Sequence, residues 1–222
     1  MLRRIHKEMA YHITEIISYD NKRNKVTLDD GEVTFLLYKG ECRRLGIGKE
    51  KSELSEEEYE EIMEEILLPR AKKKVLYYLK NGDKTRFQIR QKLKEGLYPG
   101  QITDKVMQFL DRYKIADDER YAENYIEELK GSRSRREIRQ KLQQKGLSGS
   151  AIDEQLEALG PEDEEAACRK AFQKKYPRGL GDPEDTEAWH KEKRRAFAYL
   201  ARKGFGYEVI RDAVEELADG ED

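Results

Sequence analysis

Apolar residues recur along most of this chain at helical spacing, with charged positions between them. From Asp117 onward, Tyr121, Ala122, Tyr125, Ile126 and Leu129 fall on one helical face, with Asp117 or Asp118 as the cap and Gly131 as the stop. Ser134, with Glu137 three residues on, predicts a capping box for a second helix. Its apolar seam is only Ile138 and Leu142 before Gly146 ends it, and the rest of its surface is basic. Ser55 and Glu58 predict another capping box, and Tyr59, Ile62, Met63, Ile66 and Leu67 form a helical stripe that Pro69 is expected to close. The start of the chain has a different period. Tyr11 to Tyr19 is rich in Ile, Thr and Tyr, residues 20–24 read as a turn, and Val26 and Leu28, then Val33, Phe35 and Leu37, alternate on either side of Asp29, Asp30 and Gly31. That is a small β hairpin or meander, too short to bury much alone.

The helical part repeats itself. The pentapeptide IRQKL occurs at Ile89–Leu93 and again at Ile138–Leu142, and both copies run into Gly-Leu, at Gly96-Leu97 and Gly146-Leu147. A more divergent third copy is AYLARKGF, Ala198–Phe205. Counted from Leu97, Leu147 and Phe205, the next apolar positions share offsets: Ile102, Val106 and Phe109; Ile152, Leu156 and Leu159; Ile210, Val214 and Leu217. Each unit is therefore three helices. The expected division is a β-rich segment over 1–48, a connecting helix over 49–70, and three-helix repeats over 71–114, 115–160 and 161–222. In the third repeat Pro177, Gly179, Gly181 and Pro183 mark an extra loop. The fold class is mainly α: tandem three-helix repeats, expected to stack into an elongated curved array with the middle helices lining one side, behind a small N-terminal β segment.

Composition sharpens this picture through charge. Of 222 residues, 41% are charged, well above the roughly 25% of an average globular chain, yet 44 Lys+Arg nearly cancel 46 Asp+Glu. The cancellation is blockwise. Residues 130–147 carry seven basic side chains and one acid, whereas 148–166 carry seven acids and no base; 84–96 and 191–205 are also basic, and 206–222 is acidic. Such patches suit a charged partner or a salt-bridged solvated surface. Neither a secretory leader nor a membrane span of roughly 18 apolar residues is visible, and two cysteines fit a reducing cytoplasm.

Catalytic chemistry finds little footing. There is no phosphate-binding glycine loop, and Cys42, Cys168, His6, His12 and His190 have no metal-ligand spacing. Asp117, Asp118 and Glu119 are explained by a helix N-terminus, which favours acids. No catalytic, cofactor-binding or metal residue is nominated. What remains is a basic face: on a helical wheel Arg136, Arg139, Gln140 and Gln143 share one arc away from Ile138, and Arg90 and Gln91 repeat the central pair. The nominated partner- or DNA-binding residues are Arg86, Arg90, Lys92, Lys94, Arg133, Arg135, Arg136, Arg139, Lys141, Lys145, Lys193, Arg194, Arg195, Arg202 and Lys203. The competing assignment pairs these arginines with the acidic third helices of neighbouring units. Tyr77, Tyr78, Tyr121, Tyr125 and Phe172 read as core; Phe87, Tyr98, Trp189 and Tyr207 border basic segments and could stack on exposed bases.

With the repeats in hand, the sequence resembles the RecX family, bacterial regulators of the RecA recombinase. The residues that carry the resemblance are DDERYA at Asp117–Ala122, RSRREIRQKLQQKG at Arg133–Gly146, and AYLARKGF at Ala198–Phe205 followed by Val209, Ile210 and Val214. The resemblance covers about Ala71 to Leu217 and is most specific in the central unit. It implies a non-enzymatic modulator that lies in the helical groove of the RecA filament on DNA and limits strand exchange, ATP hydrolysis and repressor cleavage, and so bears on recombination, DNA repair and the SOS response. The partners it implies are the RecA filament and single- or double-stranded DNA; apart from the resemblance, no membrane partner is expected and the chain is expected to be a monomer. A direct DNA-binding module and a helical-repeat protein adaptor are the alternatives.

Deleting 1–48 should leave a cooperative helical melt, because the β segment reads as a separable appendage. Purified protein should hydrolyse neither nucleotide nor DNA. Replacing Arg136 and Arg139 by Ala should leave stability within about 1 kcal/mol while weakening partner binding.

Overall fold

The computed structural model describes residues 10–48 and 51–218, so His6, the first nine residues and the acidic end past Ala218 lie outside the described residues. The chain divides into two compact units, residues 1–116 and 117–222.

The first unit opens with strands β1 (Tyr11–Ser18), β2 (Arg23–Leu28) and β3 (Val33–Tyr38), each antiparallel to the next. The turn between β2 and β3 places Asp29, Asp30 and Gly31 at positive φ, a conformation that Asp tolerates and Gly favours. A short helix α1 (Lys39–Arg44) follows, and then a strand the sequence does not announce, β4 (Glu53–Leu54), which pairs with β1 to give the order β3-β2-β1-β4. Helix α2 (Glu56–Glu60) starts on the expected capping box: Ser55 Oγ accepts from the Glu58 amide at 3.2 Å and the Glu58 carboxylate accepts from the Ser55 amide at 3.0 Å.

Pro69 does not end this helix. The backbone continues through a π-helical turn, Glu61–Leu67, into α3 (Leu68–Leu79), with Pro69 in the first turn of α3. Within the π turn the Leu68 amide donates to the Met63 carbonyl five residues back. The wider turn ahead of the proline relieves the clash its ring makes with an α-helical backbone, and the missing N–H costs one bond rather than the helix. Helices α4 (Arg86–Glu95) and α5 (Gly100–Arg112) complete the first three-helix domain around Ala71, Val75, Ile89, Leu93, Ile102, Val106, Met107 and Leu110, all buried.

The β segment is not an appendage. One continuous core joins Val26, Leu28, Phe35 and Leu37 of the sheet to Ile62, Leu67 and Val75 and on to Leu93 and Leu110. Tyr11 stacks on Tyr59 at 3.8 Å, the Tyr59 hydroxyl accepts from Gln101 at 2.6 Å, and Arg70 donates to the Leu36 carbonyl at 3.0 Å while it pairs with Glu41. The expectation of separability fails because a sheet this small has nothing else on which to bury its inner face.

The second unit holds two three-helix domains. Helices α6 (Asp118–Leu129), α7 (Arg135–Gln144) and α8 (Gly149–Leu156) enclose Ala122, Ile126, Ile138, Leu142, Ile152 and Leu156. Helix α9 (Pro161–Lys175), the extended piece β5 (Pro177–Leu180), α10 (Thr186–Arg202) and α11 (Tyr207–Leu217) enclose a core that includes Phe172, Leu200, Phe205 and Val214. Asp117 caps α6 by accepting from the Glu119 and Arg120 amides. Ser134 caps α7, but Glu137 does not close the box; its carboxylate pairs with Arg133 and Lys141 instead.

The repeat register needs one correction. The amide that bonds back to the carbonyl of the last seam leucine belongs to Leu147 and Phe205 in the later domains, and in the first to Tyr98, not Leu97. Gly146 and Gly204 take positive φ just before it, and Leu97 takes that conformation at φ 54° in the first domain. Gly96 is spent elsewhere. A Cβ there would lie 2.5 Å from Lys74 Nζ and under 3 Å from the Tyr98 ring. Counted from Tyr98, the equivalent buried positions are Thr103, Met107 and Leu110, and Phe109 sits half-buried beneath Lys72.

Because sheet and helices share one core, Phe35→Ala should cost about 3 to 5 kcal/mol and lower hydrogen-exchange protection in α4 and α5 as well as in β1–β3. An effect confined to the strands would restore the appendage reading.

Candidate partner-binding surface

The middle helices are basic because so little of them is buried. In α4 only Ile89 and Leu93 are buried, in α7 only Ile138 and Leu142, and in α10 Ala196 and Leu200. All six side chains are fully buried, four residues apart in each helix, so the remaining positions are open to charge.

Most of that charge is matched within its own domain. Arg90 bonds Asp104 at 2.9 Å and Arg139 grips Asp153 through two nitrogens at 2.5 and 3.0 Å, the same pair at the same offset in the first and second domains. The third domain lacks it: Phe197 stands in the place of Arg139 and packs on Tyr207, with ring centroids 5.8 Å apart. Arg86 holds Asp111 bidentately at 2.5 and 2.8 Å, Lys92 pairs with Glu95 at 3.0 Å, Arg133 and Lys141 share Glu137, and Arg195 pairs with Glu192. Arg135 donates to the Leu159 carbonyl at the end of its own domain and reaches the next, lying 3.4 Å from Glu164 on α9. Lys145 lies over the stacked rings of Tyr121 and Tyr125, Lys193 over Trp189 and Lys203 over Tyr199. The acids that the sequence pattern assigns to a neighbouring unit thus lie mostly in the arginine's own domain, in its third helix for Arg86, Arg90 and Arg139 and in its middle helix for Arg133 and Arg195. Among the nominated residues, Lys94, Arg136, Arg194 and Arg202 have neither a carboxylate within ion-pair distance nor an aromatic ring beneath them among the described residues.

Two of these four converge. Arg136 and Arg202, with Gln140 and Lys203, wall a cleft of about 630 Å³ where the end of α10 meets the start of α7. The joint beneath it is polar and tight. Ser134 is fully buried and its hydroxyl works twice, accepting from the Glu137 amide at 3.1 Å and donating to the Lys203 carbonyl at 2.6 Å. Gly204 lies so close that a Cβ would stand 2.9 Å from both Ser134 Oγ and Arg136 Cβ.

Aromatic roles differ from expectation at several positions. Tyr77 is 69% exposed rather than core, Tyr78 lies outside the core beneath Lys84 and Lys92, and Tyr98 and Trp189 are half-buried against the first and third cores rather than free to stack. Tyr207, 70% exposed, remains accessible. Burial pushes the Cys168 thiol up to about 12 and raises that of Cys42. Cys168 is a small core residue one helical turn before Phe172, as Ala122 precedes Ile126. Among the described residues no group of three or more His, Cys, Asp or Glu could hold a metal ion, and no helix is long and apolar enough to cross a membrane.

Tandem three-helix domains whose middle helices are basic define a class of helical-repeat protein. Family profiles say which: those of the first, second and third three-helix domains of RecX match residues 71–110, 117–156 and 162–214. The regulatory protein RecX of Clostridium tetani (strain Massachusetts / E88) is 31% identical over 209 residues, covering 92% of this chain and 94% of its own. That of Clostridium acetobutylicum is 30% identical over 212 residues, covering 92% and 95%. The chain belongs to the RecX family of regulatory proteins. A crystal structure of regulatory protein RecX matches with a TM-score of 0.61 at 23% identity over 93% of this chain and 100% of that one; RecX from Lactobacillus salivarius matches at 0.57 and 18% over 68% and 96%. At those identities the match establishes the fold.

The doubled use of Ser134 sets its mutational cost. Ser134→Ala removes a helix cap and the donor to the part-buried Lys203 carbonyl, and should destabilise the second unit by about 1 to 3 kcal/mol in chemical denaturation. Ser134→Thr, if its methyl is accommodated, should recover most of that stability.

Proposed function

We propose that this chain regulates the RecA recombinase by binding its filament on DNA, and that its main effect is to restrain filament growth and the activities that depend on it. The carrying observation is the tandem of three RecX three-helix domains whose middle helices bury only two side chains each. A surface built that way suits an extended charged partner better than a small substrate. Catalysis is no part of this reading: both thiols are buried with raised pKa values, and the arginines nearest a cleft serve contact rather than proton transfer. The setting is the cytoplasm and the acting species a monomer.

The test is co-sedimentation with preformed RecA filaments, read beside filament ATP hydrolysis. The chain should pellet with filaments and slow hydrolysis in proportion to the amount bound. Arg136→Ala with Arg202→Ala should weaken pelleting at least several-fold, whereas Arg90→Ala, which removes a cation already paired with Asp104, should change it less. Wild-type protein that stays in the supernatant at micromolar filament overturns the reading.

A further inference from the structure

Inside the first unit, three cations from the sheet and from α3 surround one small recess. It measures about 20 Å³ and is walled by Arg23 of β2, Tyr38 at the end of β3, Arg70 and Lys74 of α3, and Tyr98, with no carboxylate in its lining. The two arginines have acids behind them: Arg23 bonds Asp20 at 2.6 and 2.8 Å, and Arg70 bonds Glu41 and the Leu36 carbonyl. Lys74 has none. Its ammonium lies 5.3 Å from the centre of the Tyr98 ring and makes no hydrogen bond or ion pair among the described residues.

The three-helix fold does not require this lysine. The residue before the second buried position of the first helix is Lys74 beside Val75, but Tyr125 beside Ile126 and Ala171 beside Phe172 in the later domains. Lys74 also stands one turn from Arg70 on α3, where like charges repel, and burial pushes its pKa down, with Lys92 and Arg23 adding to the push. The chain shapes itself around this cation nonetheless. Its ammonium rests on Gly96, and Leu97, which shares the wall of the recess, takes the left-handed conformation that glycine takes in the later domains. The Tyr98 hydroxyl is close enough to feel both Arg70 and Arg23, and it too has no hydrogen-bond partner among the described residues.

We propose that this recess is a binding site for one small monovalent inorganic anion of the size of chloride, held by Arg23, Arg70 and Lys74 with the Tyr98 hydroxyl as a further donor. The inference stands apart from the filament-regulator reading. Size and polarity select the ligand. A space of about 20 Å³ admits one water-sized particle and not the four oxygens of a phosphate. A water there would turn its own hydrogens toward cations, because the three charged side chains offer donors and no acceptor, whereas an anion accepts from all of them. Bound in the recess, the anion neutralises the unpaired Lys74 and ties β2 to α3 and to the turn after α4.

The test is broadening of the chloride NMR line by the full chain at constant ionic strength, with gluconate as the balancing ion, read beside hydrogen exchange with and without chloride. Wild-type protein should broaden the line saturably, and chloride should slow exchange in β2, α3 and α4 while leaving the second unit unchanged. Lys74→Met keeps the apolar stem and sheds a charge that burial disfavours; it should abolish both the saturable broadening and the protection. Tyr98→Phe should weaken chloride binding about tenfold, and it carries the test alone if circular dichroism shows Lys74→Met unfolded. Arg136→Gln, on the surface of the second unit, should change neither readout. Saturable broadening that persists undiminished in the folded variants marks diffuse attraction to basic surface and overturns the site. No saturable broadening by wild-type protein overturns it as well, since the recess then holds water only. Displacement of chloride by an equal concentration of phosphate overturns the size argument and the proposal with it.

Discussion

Each three-helix domain rests on two side chains four residues apart in its middle helix: Ile89 and Leu93, Ile138 and Leu142, Ala196 and Leu200. A chain with 37% hydrophobic residues cannot line every helix generously, and these domains spend their apolar residues on the outer helices. In the third domain, where the seam residue is only Ala196, Phe172 and Phe205 fill the space. A polar side chain in a seam position of the second or third domain would leave an unpaired group at the centre of a small core.

Freedom from burial is what lets the middle helices be charged, and the same geometry disciplines the charge. An arginine one residue past the first seam position faces the third helix of its own domain, so Arg90 and Arg139 each meet an aspartate fourteen residues on. Pairs this exposed contribute at most about 1 kcal/mol each. Their effect is to hold side chains in place and to neutralise surface that would otherwise attract any polyanion. Against this background a cation at a helix start with no partner is conspicuous, because the fold gains nothing from it.

Much of the architecture is legible in the sequence. Period-2 alternation marks β2 and β3, capping residues mark α2, α6 and α7, and the doubled IRQKL marks the repeats. The misreadings have physical causes. Pro69 reads as a stop because a π turn leaves no mark in the apolar pattern, and β4 is only two residues long. The Gly-Leu pair draws the first repeat out of register by one residue, since Gly96 does not take positive φ and instead lies beneath Lys74 and the Tyr98 ring. Separability fails because the alternating residues of β2 and β3 reveal that a face is buried but not against what. The arginines are visible, but a wheel shows one helix and not the aspartate across from it.

The two cores of the second unit share no buried side chain: one closes with Leu159 and the other opens with Ala167. Each is built within its own stretch of chain, and in each the first helix packs on the last. During synthesis the Ala122 to Leu159 domain can therefore close once its last helix has emerged, before any of the third core exists, and the Lys203 carbonyl arrives later at a Ser134 hydroxyl already fixed by its cap. The first unit has no such liberty, since its opening strands must wait for Leu110 before their core is complete. The order in which the chain emerges is thus hardest on its beginning, where a half-made sheet holds open edges until the first three helices are finished.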